Sequence, residues 1–237
     1  YAVQTINSTE GKVYEPETGS TRTLFTVPFR EATIVWAETV DGAHYVYPKA
    51  TSRLEGFLYE VVNGELERLP IDGYGLSAVG NDDYVVYSKL SDDQYRTFIY
   101  EKGTDNTYDA SLVQIPDKCT IPNSAEAADE IICANTLADY DMNMPDTWYT
   151  GSVGFADSIW SLFPSTQSSI QLINSFRETG RELDMMDLNL SPDDNNLYFL
   201  NKNDRTLWLF ERVVAQNPAP ETSEPENMEE TTDSDIE

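Results

Sequence analysis

The sequence predicts an all-β protein: a β-propeller of four-stranded antiparallel blades, with about five blades represented in 237 residues. Three observations predict this fold. Short β-rich runs recur along the chain, clusters of Asp, Asn and Gly precede them, and the runs group into units of four. A four-strand unit that repeats roughly every 40–45 residues is typical of propeller blades. A sandwich or a barrel does not predict a recurring unit of four strands.

The repeat is clearest at the second strand of each unit. Its equivalent positions lie 40, 46 and 66 residues apart, at Tyr47, Tyr87, Cys133 and Phe199. The predicted first strands are 32–38, 75–80, 118–123 and 186–192; the second 43–49, 83–89, 130–136 and 196–202; the third 56–61, 96–102, 157–163 and 206–212; the fourth 64–71, 109–116 and 168–175. One twisted sheet leaves two apolar faces, so such units stack around an axis and bury them.

Aromatic residues also recur at matching positions of the third strands. These residues are Tyr59, Tyr100, Trp160 and Trp208. A catalytic residue normally occurs once in a chain, whereas a residue that packs one blade on the next recurs in every blade. The repetition therefore predicts packing between blades.

The two ends of the repeat array are incomplete. Three runs within residues 1–27 predict the second, third and fourth strands of a blade without its innermost strand. The last unit has no fourth strand. Open sheet edges and bare blade faces promote aggregation, so we expect an upstream segment or a second chain to close the propeller.

The chain divides into a propeller, residues 1–214, and an acidic Pro/Glu/Ser/Thr-rich tail, residues 215–237, which predicts disorder. The tail has eight acidic residues and no Lys or Arg, so the net charge of −27 leaves −19 on the propeller. This charge argues against nucleic-acid binding and against docking on anionic lipid. The tail is a solvated linker toward an anchor or a segment that docks on a basic partner.

Few residues suit catalysis or metal binding. The single histidine, His44, argues against a histidine-rich zinc site or a histidine-based triad and is expected at a strand end. Cys119 and Cys133 are 14 residues apart, which suits neighbouring strands. They form either a disulfide, if the protein works outside the cytoplasm, or two buried thiols. The sequence predicts no enzyme, no cofactor and no metal site.

The 66-residue period contains an insertion of about 20 residues within 134–157. It falls between the second and third strands of its blade, so we expect it to project from one rim, where loops often carry function. The candidate binding residues are Tyr140, Trp148, Tyr149, Asp139, Asp141 and Asp146. Aromatic side chains beside polar ones suit protein or sugar recognition. The alternative is that Trp148 and Phe155 fix the loop onto its blade as local core.

Two short motifs give weaker indications. Asp139, Asp141 and Asn143 alternate like calcium ligands, but Met144 and Thr150 occupy the positions where an EF-hand has Gly and Glu. These acidic residues suit the capping of turn amides better, and calcium is kept only as an alternative. The run 91–98 resembles one degenerate Asp box of sialidase propellers, with Tyr95 in place of Gly. The arginine cluster that a sialidase needs cannot be placed in this sequence.

The last repeat resembles TolB-type, WD-like β-propellers. In the run 191–211 a Ser-Pro-Asp turn leads into a strand and then an aromatic-rich strand, with Asp194 replacing the usual Gly. A more detailed resemblance, over residues 56–211, is to uncharacterised membrane-anchored propeller proteins of candidate-phyla bacteria. Its markers are EGFLY, IPDKC, PDTWYTG and FADSIW. The resemblance implies a cell-surface location behind an N-terminal anchor and supplies neither catalytic residues nor a substrate.

Three functional hypotheses follow. The first is a non-enzymatic extracytoplasmic propeller that binds another protein or a cell-surface polymer through the insertion. The second is a propeller that regulates or gates an enzyme domain outside this chain. The third is a structural subunit of a surface layer or filament, in which neighbouring copies complete the open ends.

Overall fold

The computed structural model describes residues 1–37, 42–110, 112, 114–122, 129–137 and 140–212. They form five small antiparallel sheets arranged as a β-propeller, which confirms the predicted fold class. We number the sheets as blades 1 to 5 in chain order. The predicted tail, residues 215–237, lies outside the described residues.

Each blade is a meander of short strands that pair with their neighbours in sequence. Blade 1 contains β1 (Ala2–Gln4), β2 (Thr9–Glu15) and β3 (Ser20–Val27); blade 2 contains β4 (Ala32–Val35), β5 (His44–Pro48), β6 (Glu55–Val62) and β7 (Glu65–Tyr74); blade 3 contains β8 (Ser77–Gly80), β9 (Tyr84–Ser91), β10 (Gln94–Glu101) and β11 (Asn106–Asp109). Blade 4 contains β12 (Cys119–Thr120), β13 (Ile131–Asn135), β14 (Ser158–Phe163) and β15 (Ser168–Ile173); blade 5 contains β16 (Met185–Leu190), β17 (Asn196–Asn201) and β18 (Leu207–Glu211). Two short helices, α1 (Asp146–Tyr149) and α2 (Ser175–Thr179), lie in connections.

The first and last blades have three strands each, as the sequence predicts. In blade 1 the missing strand is the innermost. The Thr9 hydroxyl at the start of β2 donates to the carbonyl oxygens of Phe29 and Arg30, which link β3 to β4. β2 therefore begins at the end of the propeller where the chain crosses from β3 to the next blade, as third strands do in the other blades, which makes β1 to β3 the second, third and fourth strands.

Stacking of neighbouring blades buries the core in separate clusters. Tyr100 of blade 3 packs in a cluster with residues of blade 2, Trp160 of blade 4 with residues of blade 3, and Trp208 of blade 5 with residues of blade 4. The Tyr59 ring of blade 2 lies 6.4 Å from the Phe29 ring. Tyr100, Trp160 and Trp208 therefore join their blades to the one before, as their repetition predicts, and Tyr59 contacts the link from blade 1.

One strand prediction is wrong. The fourth strand of blade 3 is β11 (Asn106–Asp109), and the predicted run 109–116 contributes only its first residue to it. The polar sequence of β11 suits an exposed outer edge and shows little hydrophobic patterning. The apolar side chain of Ile115 is fully buried in the link to the next blade instead, so the apolar character of the run came from burial of a link.

Because strands alternate in direction, the connections collect at two ends of the propeller. The links between blades and the connections from second to third strands share one end, which we call the capped face; its described connections include 5–8, 28–31, 49–54, 75–76, 92–93, 114–118, 140–157, 174–184 and 202–206. The other connections form the open face, and these include 63–64, 81–83, 102–105, 164–167 and 191–195.

Candidate functional site

The inner strands surround a cavity of about 790 Å³ along the propeller axis. Strands β4, β8, β12 and β16, from blades 2 to 5, contribute its walls. Its described lining reaches Trp36, Gly42 and Asp82 in the connections of the open face. The cavity is therefore an axial channel, and we call it by that name.

The channel wall is acidic. Asp82, Asp117 and Asp187 line it, and none of the described lining residues is a Lys or an Arg. Asp187 belongs to β16, at a register shift in the pairing with β17 and with a positive φ of 53°. Asp82 lies in the connection from β8 to β9, where its Oδ1 accepts the backbone N–H of Ala43 at 2.8 Å. Three blades thus supply one carboxylate each.

An aromatic side chain, Trp36, lies at the open-face end of the channel, as Asp82 does. Trp36 follows β4 directly, lines the channel and is 38% exposed. Its ring meets the imidazole of His44 edge-on, with 5.7 Å between ring centroids, and lies 5.9 Å from the Phe25 ring. These contacts hold the indole in place while part of its surface stays open to solvent.

The insertion lies across the capped face and does not project from the rim. Asp146 Oδ2 accepts hydrogen bonds from Ser52 N at 2.7 Å, Ser52 Oγ at 2.6 Å and Thr51 Oγ1 at 3.0 Å, all in blade 2. On the other side, Lys202 Nζ of blade 5 donates to the carbonyl oxygen of Trp148 at 2.5 Å. The insertion belongs to blade 4 and thus bridges blades 2 and 5.

Trp148 is core. Only 3% of it is exposed, and its Nε1 donates to both carboxylate oxygens of Asp184, at 2.9 and 3.2 Å. It packs in one cluster with Tyr95, Met144 and Phe155. Of the two interpretations of the loop, the structure thus shows the packing role for Trp148 and Phe155, and a contact with a partner has to come from other side chains.

A glycine allows the insertion to approach the propeller. Gly75 joins blades 2 and 3 with a φ of +69°. A Cβ atom at this position would lie 2.8 Å from the carbonyl oxygen of Met144 and 3.4 Å from Pro145. Glycine is therefore required twice, for its backbone angle and for the closeness of the insertion.

Asp117 lies at the end of the channel nearest the capped face. Its side chain lines both the channel and a second cavity of about 520 Å³, to which Tyr149 of the insertion also contributes. The Tyr149 hydroxyl donates to Asp117 Oδ2 at 2.9 Å. The insertion thus contacts the channel through Tyr149, at the end away from the open face.

Burial raises the pKa values of the ionisable groups at this end of the channel. It raises the pKa of Asp117, the charge of Asp187 raises it further, and the hydrogen bond from Tyr149 opposes the shift. Burial, together with the charge of Asp117, also raises the pKa of Tyr149 and of Tyr47 well above the usual range. Both phenols stay protonated at neutral pH. A cation near Asp117 would stabilise the ionised form of this carboxyl, which burial disfavours.

The remaining predicted site residues are dispersed. Asp141 Oδ1 accepts the backbone N–H of Asn143 at 2.7 Å, which is a local turn contact. Tyr140 packs against the cluster that contains Trp148 and Phe155, and its ring centroid lies 5.2 Å from that of Phe155. Asp139 lies outside the described residues. Within the described parts of the chain no group of three or more His, Cys, Asp or Glu side chains is placed to hold a metal ion.

The two cysteines and the histidine have structural surroundings. Cys119 of β12 and Cys133 of β13 are register partners and form a disulfide. His44 begins β5, is 5% exposed, and its Nδ1 accepts the backbone N–H of Ala37 at 2.9 Å. These contacts stabilise the strands near the axis.

Sequence reasoning missed the channel residues. Asp82 was one of several acids in a turn, while Trp36 and Asp187 were unremarkable members of predicted strands. One available indication was the polar character of inner-strand positions such as Thr33 and Asn189, because an inner strand faces the water of the channel. Assigning that face to one cavity required the blade geometry.

Comparison with solved structures finds the same fold in proteins of dissimilar sequence. TolB from Acinetobacter baumannii matches with a TM-score of 0.51 and 9% identity, over 86% of this chain and 49% of TolB. The β-propeller domain of Cps50 (Swd1) from Myceliophteria thermophila matches with a TM-score of 0.50 and 11% identity, over 92% of this chain and 64% of that one. The acylaminoacyl peptidase of Pyrococcus horikoshii matches with a TM-score of 0.51 and 11% identity, over 84% and 33%.

The chain therefore spans about half the length of the TolB structure that it matches. No protein-family model matches it, and no curated protein matches it in sequence. At these identities the likeness shows the fold alone, a β-propeller. A protein named as a peptidase shares this fold with TolB, so the fold does not assign catalysis. Among the described helices, none is long and apolar enough to cross a membrane.

Proposed function

We propose that this propeller is a non-enzymatic binding scaffold that takes a basic segment of another protein into the open end of its axial channel. The observation that carries the proposal is the channel wall, where three carboxylates occur without a Lys or Arg among the described lining residues. Opposite charges across an interface speed association and select the partner. A lysine- or arginine-bearing segment is the complementary ligand.

Trp36 suits the same ligand. Its partly exposed indole lies on the channel, and ammonium and guanidinium groups are attracted to the face of a Trp ring. The raised pKa of Asp117 adds to this preference, because a bound cation stabilises the ionised carboxyl that burial disfavours. Aromatic and acidic groups thus line one cavity and favour the same ligand charge.

The charge also favours a protein over a surface polymer. Polymers that carry phosphate or uronate groups would be repelled by an acidic channel and by a chain of net charge −27. A neutral polymer would bring no positive charge to the three carboxylates of the channel. We therefore favour the protein among the two partners that the sequence left open.

Location and ring closure belong to the same proposal. The disulfide between Cys119 and Cys133 supports an extracytoplasmic location, at the cell surface or secreted, because disulfides persist in oxidising compartments. The inner edge of β1 and the outer edge of β18 end their sheets. We propose that strands from an upstream segment or a second chain pair with these edges, and that an N-terminal segment anchors the protein.

Titration with two synthetic peptides of equal length, one rich in lysine and one rich in glutamate, tests the binding mode. We expect the lysine peptide to bind and the glutamate peptide not to bind, with weaker binding at higher salt as charges are screened. The double variant Asp82→Asn and Asp187→Asn should bind the lysine peptide at least about tenfold more weakly, about 1.4 kcal/mol.

The matched control is the double variant Asp92→Asn and Asp93→Asn. It makes the same change of charge on an exposed turn outside the channel, where φ is +52° and +59° and asparagine is readily accepted. The control should bind like the unmodified protein. Equal loss in the control and in the channel variant would reduce the effect to net charge, and binding of both peptides would contradict the proposal.

A further inference from the structure

A lysine and two carboxyl groups are buried together beside the insertion. Lys118 Nζ lies 2.6 Å from Asp157 Oδ2 and 2.7 Å from Asp184 Oδ1. The exposed fractions of these three residues are 0%, 2% and 1%. Lys118 precedes β12, Asp157 ends the insertion and Asp184 precedes β16, so the fold brings together three separate segments. None of the three lines the channel cavity.

The surroundings of the amine are aromatic. Lys118 Nζ lies 4.6 Å from the centre of the Phe155 ring and 5.1 Å from that of the Trp148 ring. One ammonium between two carboxylates leaves a net negative charge in a site without solvent exposure, which is unfavourable. A proton on one carboxyl removes this charge. Burial raises the pKa of Asp157 against the opposing effect of Lys118, which favours a proton on this carboxyl.

The two carboxyl groups are held differently. Both oxygens of Asp184 accept the indole N–H of Trp148. Asp157 Oδ2 accepts the backbone N–H of Met185 at 2.8 Å, while Asp157 Oδ1 is buried and has no described hydrogen-bond partner. Asp157 therefore has one anchored oxygen and one oxygen that the fold leaves unsatisfied.

We propose that Lys118 and Asp157 form an intramolecular amide bond, with Asp184 carrying the proton between them. The amine and the carboxyl group are in contact, fixed in orientation and shielded from water, and such an arrangement can accelerate a reaction between two groups by many orders of magnitude. An amide also replaces buried charges with a neutral group. The unsatisfied Oδ1 marks the oxygen that departs.

The reaction needs no other reactant. Lys118 gives one proton to Asp184, and the nitrogen lone pair attacks Cγ of protonated Asp157, forming the C–N bond. The Met185 N–H stabilises the negative charge that develops on Oδ2. Asp184 passes the first proton to Oδ1, the C–Oδ1 bond breaks and water departs, and Asp184 takes up the second proton that nitrogen loses. An ammonium group and a protonated carboxyl group have become an amide and one water molecule, with no change of oxidation state, and Asp184 is left as a neutral carboxylic acid.

The bond would close a loop between the link that enters blade 4 and the end of the insertion. Lys118 is the neighbour of Cys119, so the amide and the disulfide would lie side by side at the inner strand of blade 4. The insertion that covers the capped face would then be attached covalently at its return to the blade.

Intact-mass measurement of the folded and then denatured, reduced protein tests the bond. We expect a mass lower than that of the sequence by one water molecule, and a branched peptide joining the Lys118 and Asp157 segments after proteolysis. A cooperative thermal unfolding transition shows that the sample is folded. If such a sample has the full mass of its sequence, the proposal is overturned.

Two variants identify the atoms. In Asp157→Asn the side-chain NH2 group departs as ammonia, so the mass deficit relative to the sequence should change from one water molecule to one ammonia molecule. Lys118→Arg keeps the charge but removes the nucleophile, and should have its full sequence mass whether or not it folds well. Lys202→Arg is the matched control, since Lys202 Nζ donates to the carbonyl oxygen of Trp148 and forms no salt bridge with a carboxylate of the described residues, and it should keep the water deficit. A deficit that survives Lys118→Arg would contradict the assignment.

Discussion

Replacement of Trp148 by Ala distinguishes a loop that packs from a loop that binds. The indole is 97% buried, since 3% of the residue is exposed, and it donates to Asp184. Truncation of a buried Trp costs roughly 3–5 kcal/mol through lost contacts and the cavity left behind. The Asp184 carboxylate also loses a donor, which for a buried charged group costs about 1.5–3 kcal/mol and overlaps with the first figure.

We therefore expect Trp148→Ala to lower the free energy of unfolding by about 4 kcal/mol, a large part of the 5–15 kcal/mol typical of a domain. Urea unfolding followed by far-ultraviolet circular dichroism measures it without depending on Trp fluorescence. Trp148→Phe keeps most of the packing and should cost roughly 1–3 kcal/mol.

Met142→Ala is the matched control, because Met142 lies in the same insertion but is 53% exposed. A surface change of this kind usually alters stability by less than about 0.5 kcal/mol. If Trp148→Ala stayed within about 1 kcal/mol of the unmodified protein, the packing role would be refuted and a contact role for this indole would return.

Three further predictions concern the same end of the propeller. Gly75→Ala should lower the unfolding midpoint clearly, whereas Gly103→Ala, where a Cβ meets nothing within 4 Å, should not. Burial opposes a low pKa at Asp146, but hydrogen bonds from the Ser52 side chain and backbone lower it; its stabilisation is therefore present above about pH 4 and lost as the pH falls through the depressed pKa, so the stability difference from Asp146→Asn should shrink in acid urea titrations. Reduction of the disulfide should lower the free energy of unfolding by about 3 kcal/mol, as for other loops of this length, and a Cys119→Ser, Cys133→Ser variant should not respond to reductant.

The repeat was predictable from the sequence because each strand carries its own alternation and each blade repeats the same demand for burial. The missing strands of the first and last blades followed from the same pattern. The outer strand of blade 3 did not, because Asn106–Asp109 is polar and exposed while the apolar link behind it is buried. Edge strands and buried links give the reverse of the usual hydrophobic pattern.

The candidate site was less predictable for a different reason. The sequence indicated Trp148 because an aromatic in an insertion between polar residues resembles a contact residue. In the structure this ring is buried and donates a hydrogen bond to Asp184, which lies 36 residues away in the link to blade 5. No local pattern shows such a partner. The same limit applies to Asp82, Asp117 and Asp187, since carboxylates from three blades converge only after the blades are placed around the axis.

The positions of these features favour entry of a partner from one side. On the capped face, the insertion is held at blade 2 by Asp146 and at blade 5 by Lys202, so a ligand passing between these blades would have to break these hydrogen bonds. On the open face, Asp82 and the partly exposed Trp36 line the channel. Because the insertion covers the other end, a long segment could not thread through the propeller. A partner would therefore insert a short basic end or loop, and its affinity should depend on a few charged residues rather than on the length of the segment.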